Sequence, residues 1–163
     1  MNTGQMMITA GAMMLISILV LSISSTQLTT QDSMQNSKFG ILAISLASSM
    51  LELATQKAFD QNSVDETLTS KNQLTQNLGP GPGEVSPETF NDYDDFNNYT
   101  NVDSTMPSAF FTIKCTVDYV DPSKPGFITS NRSWHKMMTV TVTSAAMKDA
   151  VKLSKVYSYF KLP

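Results

Sequence analysis

The chain has 163 residues and a formal net charge of −3. That length suits one modest domain with an attached segment and excludes two ordinary domains. The acidic balance argues against a nucleic-acid partner, and the lone cysteine, Cys115, excludes an intramolecular disulfide and a cysteine-based zinc site.

Residues Met6 to Ser24 read MMITAGAMMLISILVLSIS and carry no charge. As a helix they span about 28 Å, close to the roughly 30 Å hydrocarbon thickness of a bilayer. Three readings of this run compete: a retained anchor, a cleaved secretory signal and a buried core helix. The run is long and no basic residue precedes it, which favours the anchor, although Ser22-Ile23-Ser24 offers a weak signal-cleavage site. A polar stretch, Thr26 to Ser37, follows. Phe39, Leu42, Leu46, Met50 and Leu53 then recur every three or four residues, with Ala43, Ala47, Ala54 and Ala58 nearby. This spacing predicts an amphipathic helix to about residue 60, with Gly40 as its weak point.

Periodicity disappears from about residue 61 to 107. The run Leu78-Gly79-Pro80-Gly81-Pro82-Gly83-Glu84 forms turns that no helix or strand keeps. No Lys or Arg lies between Lys71 and Lys114, while Glu84, Glu88, Asp92, Asp94, Asp95 and Asp103 do. An acidic local patch is expected there. Within it, Asp92, Asp94, Asp95 and Asn97 gather oxygens in a short span, as a hard cation such as calcium requires. The run lacks the glycine and terminal Glu of an EF-hand loop. The competing reading has the Asx side chains bonding their own backbone while Phe90, Tyr93, Phe96 and Tyr99 pack inward.

From residue 108 to 163 the pattern becomes β. Phe111, Ile113, Cys115, Val117 and Tyr119 alternate with polar residues and predict a half-buried strand, with Cys115 as a small buried hydrophobe. Asp121 to Gly126 reads as a turn. Trp134, Met138, Val140 and Val142 mark a second strand, and Val151 to Phe160, rich in β-formers, a third. The expected class is α+β: a long N-terminal helix, half anchor and half amphipathic, packed on an antiparallel sheet of three or more strands.

No catalytic constellation emerges. His135 is the lone histidine and falls on the polar face of its strand. The Gly79-x-Gly81-x-Gly83 run is broken by prolines and leads into no helix, so it is no phosphate loop. Asp94 and Asp95 point apart on an extended backbone and make a poor acid/base pair.

In its order of parts the chain resembles type IV pilin-like proteins and pseudopilins. Met1-Asn2-Thr3-Gly4 stands where their short leader ends in glycine, and Gln5 stands where the mature chain begins. The run from Asp92 to Asn98, followed by the alternating strand from Phe110, is similar to a segment of minor pilins of the mannose-sensitive haemagglutinin type. The resemblance implies cleavage between Gly4 and Gln5, then residence in the inner membrane through one span at 5–25. It further implies transfer into an extracellular or periplasmic filament of like or related subunits. Met7, Met14, Leu15, Ile18 and Leu19 would line the assembly surface. The chain departs from the family in three places: its leader has no basic residue, Gln5 replaces Phe or Met, and Thr9 occupies the usual position of Glu. The alternative expectation is a single-pass envelope protein whose acidic loop, 84–103, holds calcium or a partner. A third is a secreted protein whose signal has been removed.

Overall fold

A computed structural model describes residues 2–106, 109–124 and 126–160. Met1 of the expected leader, and residues 107, 108 and 161–163 at the limits of the expected loop and sheet regions, lie outside them. The chain divides into two compact units, residues 1–38 and 39–163. One helix, α1 (Thr3–Thr55), contributes to both and runs unbroken through Gly40.

In the first unit the described residues of the helix are almost all exposed. Its hydroxyl residues turn back on the backbone: Thr9 Oγ1 donates to the Gln5 and Met6 carbonyls, and Ser17 Oγ to that of Met13. The same device continues in the polar stretch, where Thr26, Thr29 and Thr30 donate to the carbonyls of Ser22, Ser25 and Thr26. Back-bonding of this kind lets Ser and Thr stay helical without an outside partner.

The second unit is a helix-on-sheet head. Strands β1 (Thr100–Asp103), β2 (Phe111–Tyr119), β3 (His135–Thr143) and β4 (Val151–Ser158) form one antiparallel sheet in sequence order. The α+β class expected from the sequence is therefore the observed one. Alternation decides the buried face. Phe111, Ile113, Cys115, Val117 and Tyr119 on β2, and Lys136, Met138, Val140 and Val142 on β3, all point inward. Register places Cys115 opposite Val140, and Val140 opposite Leu153 of β4.

Against this face lies the last part of α1. Phe39, Ala43, Ala47, Leu51 and Ala54 form its buried stripe, flanked by half-buried Leu42, Leu46, Met50 and Leu53. The alanines at the centre are wholly enclosed. Small residues there bring helix backbone close to the sheet, and the leucines close the sides. The helix stops at Thr55, short of residue 60. Gln56 and Lys57 tighten the end with bonds to Leu53 and Ala54, and Ala58 pairs with Asp92 in a parallel bridge. That bridge draws the chain away from the helical path and toward the acidic run.

A smaller cluster of Phe59, Leu68, Leu74 and Tyr119 sits beside the main core. Trp134 stacks on Tyr159 with centroids 5.2 Å apart, and Tyr159 N donates to the Trp134 carbonyl. Both residues lie one position outside the strands expected to include them, since β3 begins at His135 and β4 ends at Ser158.

Candidate functional site

Two features of the chain invite a functional reading, one in each unit. The first is the exposed apolar surface of α1. It contains an 18-residue window long and apolar enough to cross a membrane, and none of that window is buried by the rest of the chain. Met7, Met14, Leu15, Ile18 and Leu19 are all exposed, Met7 at 77% and Ile18 at 56%. Aliphatic exposure runs around the helix, since Ile8, Ile16, Val20 and Leu21 are bare as well. Gly4 and Gln5 occupy the first turn, where Gln5 N donates to the Asn2 carbonyl at 2.9 Å.

The second feature is an ionic cluster in the head, built on a lysine that strand alternation carries inward. Lys136 lies between Trp134 and Met138 on the buried face of β3 and is wholly enclosed. Its Nζ donates to the Phe59 carbonyl at 2.9 Å, to Asp60 Oδ2 at 2.8 Å and to Asp94 Oδ1. The rings of Phe59 and Tyr119 flank it, with centroids 4.7 and 5.4 Å from Nζ. Asp60 follows the end of α1 and also caps the 3-10 turn Gln61–Ser63. Asp94 opens the 3-10 turn Asp94–Phe96. Thr75 joins the two carboxyls: its Oγ1 is 2.7 Å from Asp60 Oδ2 and 3.1 Å from Asp94 Oδ2.

A hydroxyl carries one hydrogen. Thr75 therefore shares its single donor between the two carboxyl oxygens, with the shorter contact to Asp60. The environments of the two carboxyls differ. Burial pushes Asp94 above the usual carboxylate range, against the pull of Lys136. Burial acts on Asp60 in the same sense, but Lys136 and Thr75 outweigh it and hold Asp60 below its ordinary value. The two carboxyls around Lys136 are thus shifted in opposite directions by the balance of burial and charge.

The other residues of the acidic run bond the backbone around them. Asp92 Oδ1 accepts from Asp94 N and Asp95 N at 2.8 and 3.2 Å. Asp95 Oδ2 accepts from Asn91 N and Asp92 N at 2.8 and 3.0 Å. Its Oδ1 is buried with no hydrogen-bond partner among the described residues. Burial, with Asp94 and Asp95 alongside, pushes Asp92 up to about 8. Asn97 is a tie: its Nδ2 donates to the Leu78 carbonyl and its Oδ1 accepts from Val117 N. Phe90, Tyr93 and Phe96 are buried in the main core, with Tyr99 packed against it. This is the arrangement of self-bonded Asx side chains with inward aromatics.

The four oxygen-rich residues thus fall into different roles. Asp94 meets the Lys136 ammonium, Asp92 and Asp95 cap the local backbone, and Asn97 stitches the loop to β2. Among the described residues no group of three or more His, Cys, Asp or Glu side chains is arranged to hold a metal ion.

His135 is half-buried, with Nδ1 2.7 Å from Ser158 Oγ on the neighbouring strand. Cys115 is a free, fully buried thiol whose burial pushes it up to about 12. Asp60 and Lys136 are the residues that inspection of the sequence passes over. Lys136 carried a signal, since it stands at an inward position of an alternating strand. Asp60 carried none, because its partner lies 76 residues away.

No family model, curated protein or solved structure matches this chain.

Proposed function

We propose that the chain is a structural subunit of a filament of the type IV pilus or type II secretion pseudopilus kind, assembling through its N-terminal apolar helix. The supporting observation is the charge-free stretch of α1, which its own chain leaves uncovered. Water is a poor surrounding for so much continuous apolar surface. Lipid covers it in a bacterial inner membrane, where the helix exposes no unpaired backbone group. In a filament, neighbouring helices take the place of lipid. Both surroundings are apolar, so packing geometry decides the exchange. The flexible side chains of Met6, Met7, Met13 and Met14 suit several neighbours at once. The head then projects outside the membrane, in the periplasm or on the extracellular filament. Its role is mechanical rather than catalytic.

Leu15→Asp and Ile18→Asp test this reading. At the centre of a span, exchanging an aliphatic residue for Asp changes insertion free energy by about 3–4 kcal/mol. Both variants should lose filament assembly and be held less firmly by membranes, while the head stays folded. Wild-type filament yield from either variant would contradict the proposal. Removal of the leader predicts a mature N-terminus at Gln5. Mass spectrometry of membrane-extracted protein reads it directly, and an intact Met1 would remove processing from the account.

A further inference from the structure

We propose that Lys136 and Asp94 become joined by an amide bond between Nζ and Cγ, with Asp60 accepting the proton that the reaction releases. The inference concerns the head alone and stands apart from the filament reading.

Three observations carry it. Lys136 Nζ contacts Asp94 Oδ1 directly and lies 2.8 Å from Asp60 Oδ2, so nucleophile, acyl group and base already meet. All three side chains are excluded from solvent, and the ammonium lies between two aromatic rings. An apolar enclosure disfavours separated charge and narrows the gap between ion pair and neutral amine with acid. The two carboxyls meet at the Thr75 hydroxyl, 2.7 and 3.1 Å from its oxygen, close enough for one to hold a proton while the other serves as base. A carboxylic acid is a far better acyl donor than a carboxylate, because its hydroxyl can leave as water.

The step balances without any outside reagent. The ammonium passes one proton to the Asp60 carboxylate. The freed nitrogen lone pair attacks Cγ of protonated Asp94 and forms the C–N bond. The Asp94 hydroxyl leaves with a second nitrogen proton as water, breaking the C–O bond. The third proton stays on the amide nitrogen, and Asp60 ends as a neutral acid. No atom changes oxidation state. The cluster begins as one ammonium, one carboxylate and one acid, and it ends without formal charge. Fixed placement of the reacting groups is what makes such a condensation accessible at all.

The product would tie the Asp94–Phe96 turn to β3 across 42 positions of chain. It would act as a cross-link in a chain whose one cysteine cannot form one internally.

The test is peptide mass spectrometry on the full-length protein purified in detergent. Digestion of wild-type protein should yield the Lys136 and Asp94 peptides joined, lighter than their sum by one water, with no tryptic cut after Lys136. Asp60→Asn and Lys136→Arg should yield the two peptides separately. Protection of Cys115 from a thiol reagent reports that each sample is folded. Free Lys136 and Asp94 peptides at full mass, from wild-type protein with Cys115 protected, would overturn the proposal. A joined pair in folded Asp60→Asn would overturn the role given to Asp60.

Discussion

Replacing Lys136 with methionine removes the ammonium while keeping most of the aliphatic stem. Asp60 and Asp94 are then left across Thr75 with no cation, in a site closed to solvent. Removing one partner of a buried ion pair costs about 3–5 kcal/mol. Loss of the bond to the Phe59 carbonyl adds about 1 kcal/mol. Together these approach the lower end of a small domain's whole stability, about 5–15 kcal/mol. The expected fall in melting temperature is about 15–25 °C for a head of this size. These figures describe the ionic contacts alone, and a covalent link would enlarge the loss. Thermal unfolding in detergent, followed by near-ultraviolet circular dichroism, reports on the aromatic core. A companion variant carrying Lys136→Met, Asp60→Asn and Asp94→Asn together should recover more than half of the loss, since no charge is left stranded. A single variant within about 1 kcal/mol of wild type would refute the reasoning, as would a triple variant less stable than the single one.

Ala47→Leu pushes a larger side chain into a fully enclosed position between α1 and the sheet. A loss of about 1–3 kcal/mol is expected in urea unfolding, and a neutral result would contradict the close helix–sheet approach. Asp92 gives a pH dependence. Asp94 and Asp95 face it and raise it beyond the effect of burial, while Lys136 opposes them. The folded state holds a proton that the unfolded chain releases above its ordinary value of 3.8. This contribution is therefore complete at low pH and declines until pH passes about 8. Between pH 5 and 7 stability should fall by about 1.4 kcal/mol per pH unit from this one proton, and Asp92→Asn should flatten the profile. Stability that rises across that interval would refute the assignment. Asp60 acts at the other end: held low by Lys136 and Thr75, its contribution is lost as pH drops below the usual carboxylate range. Cys115, pushed up to about 12, should stay unlabelled by a thiol reagent at pH 8 until urea is added. Rapid labelling of the folded protein would contradict its burial.

What could be read from the sequence followed the strength of each periodic signal. The strands β2 and β3 alternate over nine residues each, and a period of two has no competing explanation at that length. The amphipathic half of α1 was equally legible, although the innermost stripe holds the alanines and Leu51, with the larger leucines at its margins. Size was the misleading cue: the most apolar residues mark the helix face, while the smallest ones mark its closest approach. The strand β1 carried no signal because its four residues are mostly exposed and show no alternation. The aspartates of the acidic run suggested an external cation, because composition counts oxygens without saying what they face. Two of them face backbone amides, and a third faces a lysine brought by β3. Lys136 was visible as an inward-register charge between Trp134 and Met138. A buried lysine demands a carboxylate, but only the fold could reveal that Asp60 and Asp94 supply it.

Electron microscopy of the native protein, released from cells without denaturant, measures the central claim. Thin filaments are expected, and they should disappear when Leu15 or Ile18 becomes Asp. A preparation that is monomeric in plain buffer, with residues 6–24 still attached and no filament on the grid, would contradict it.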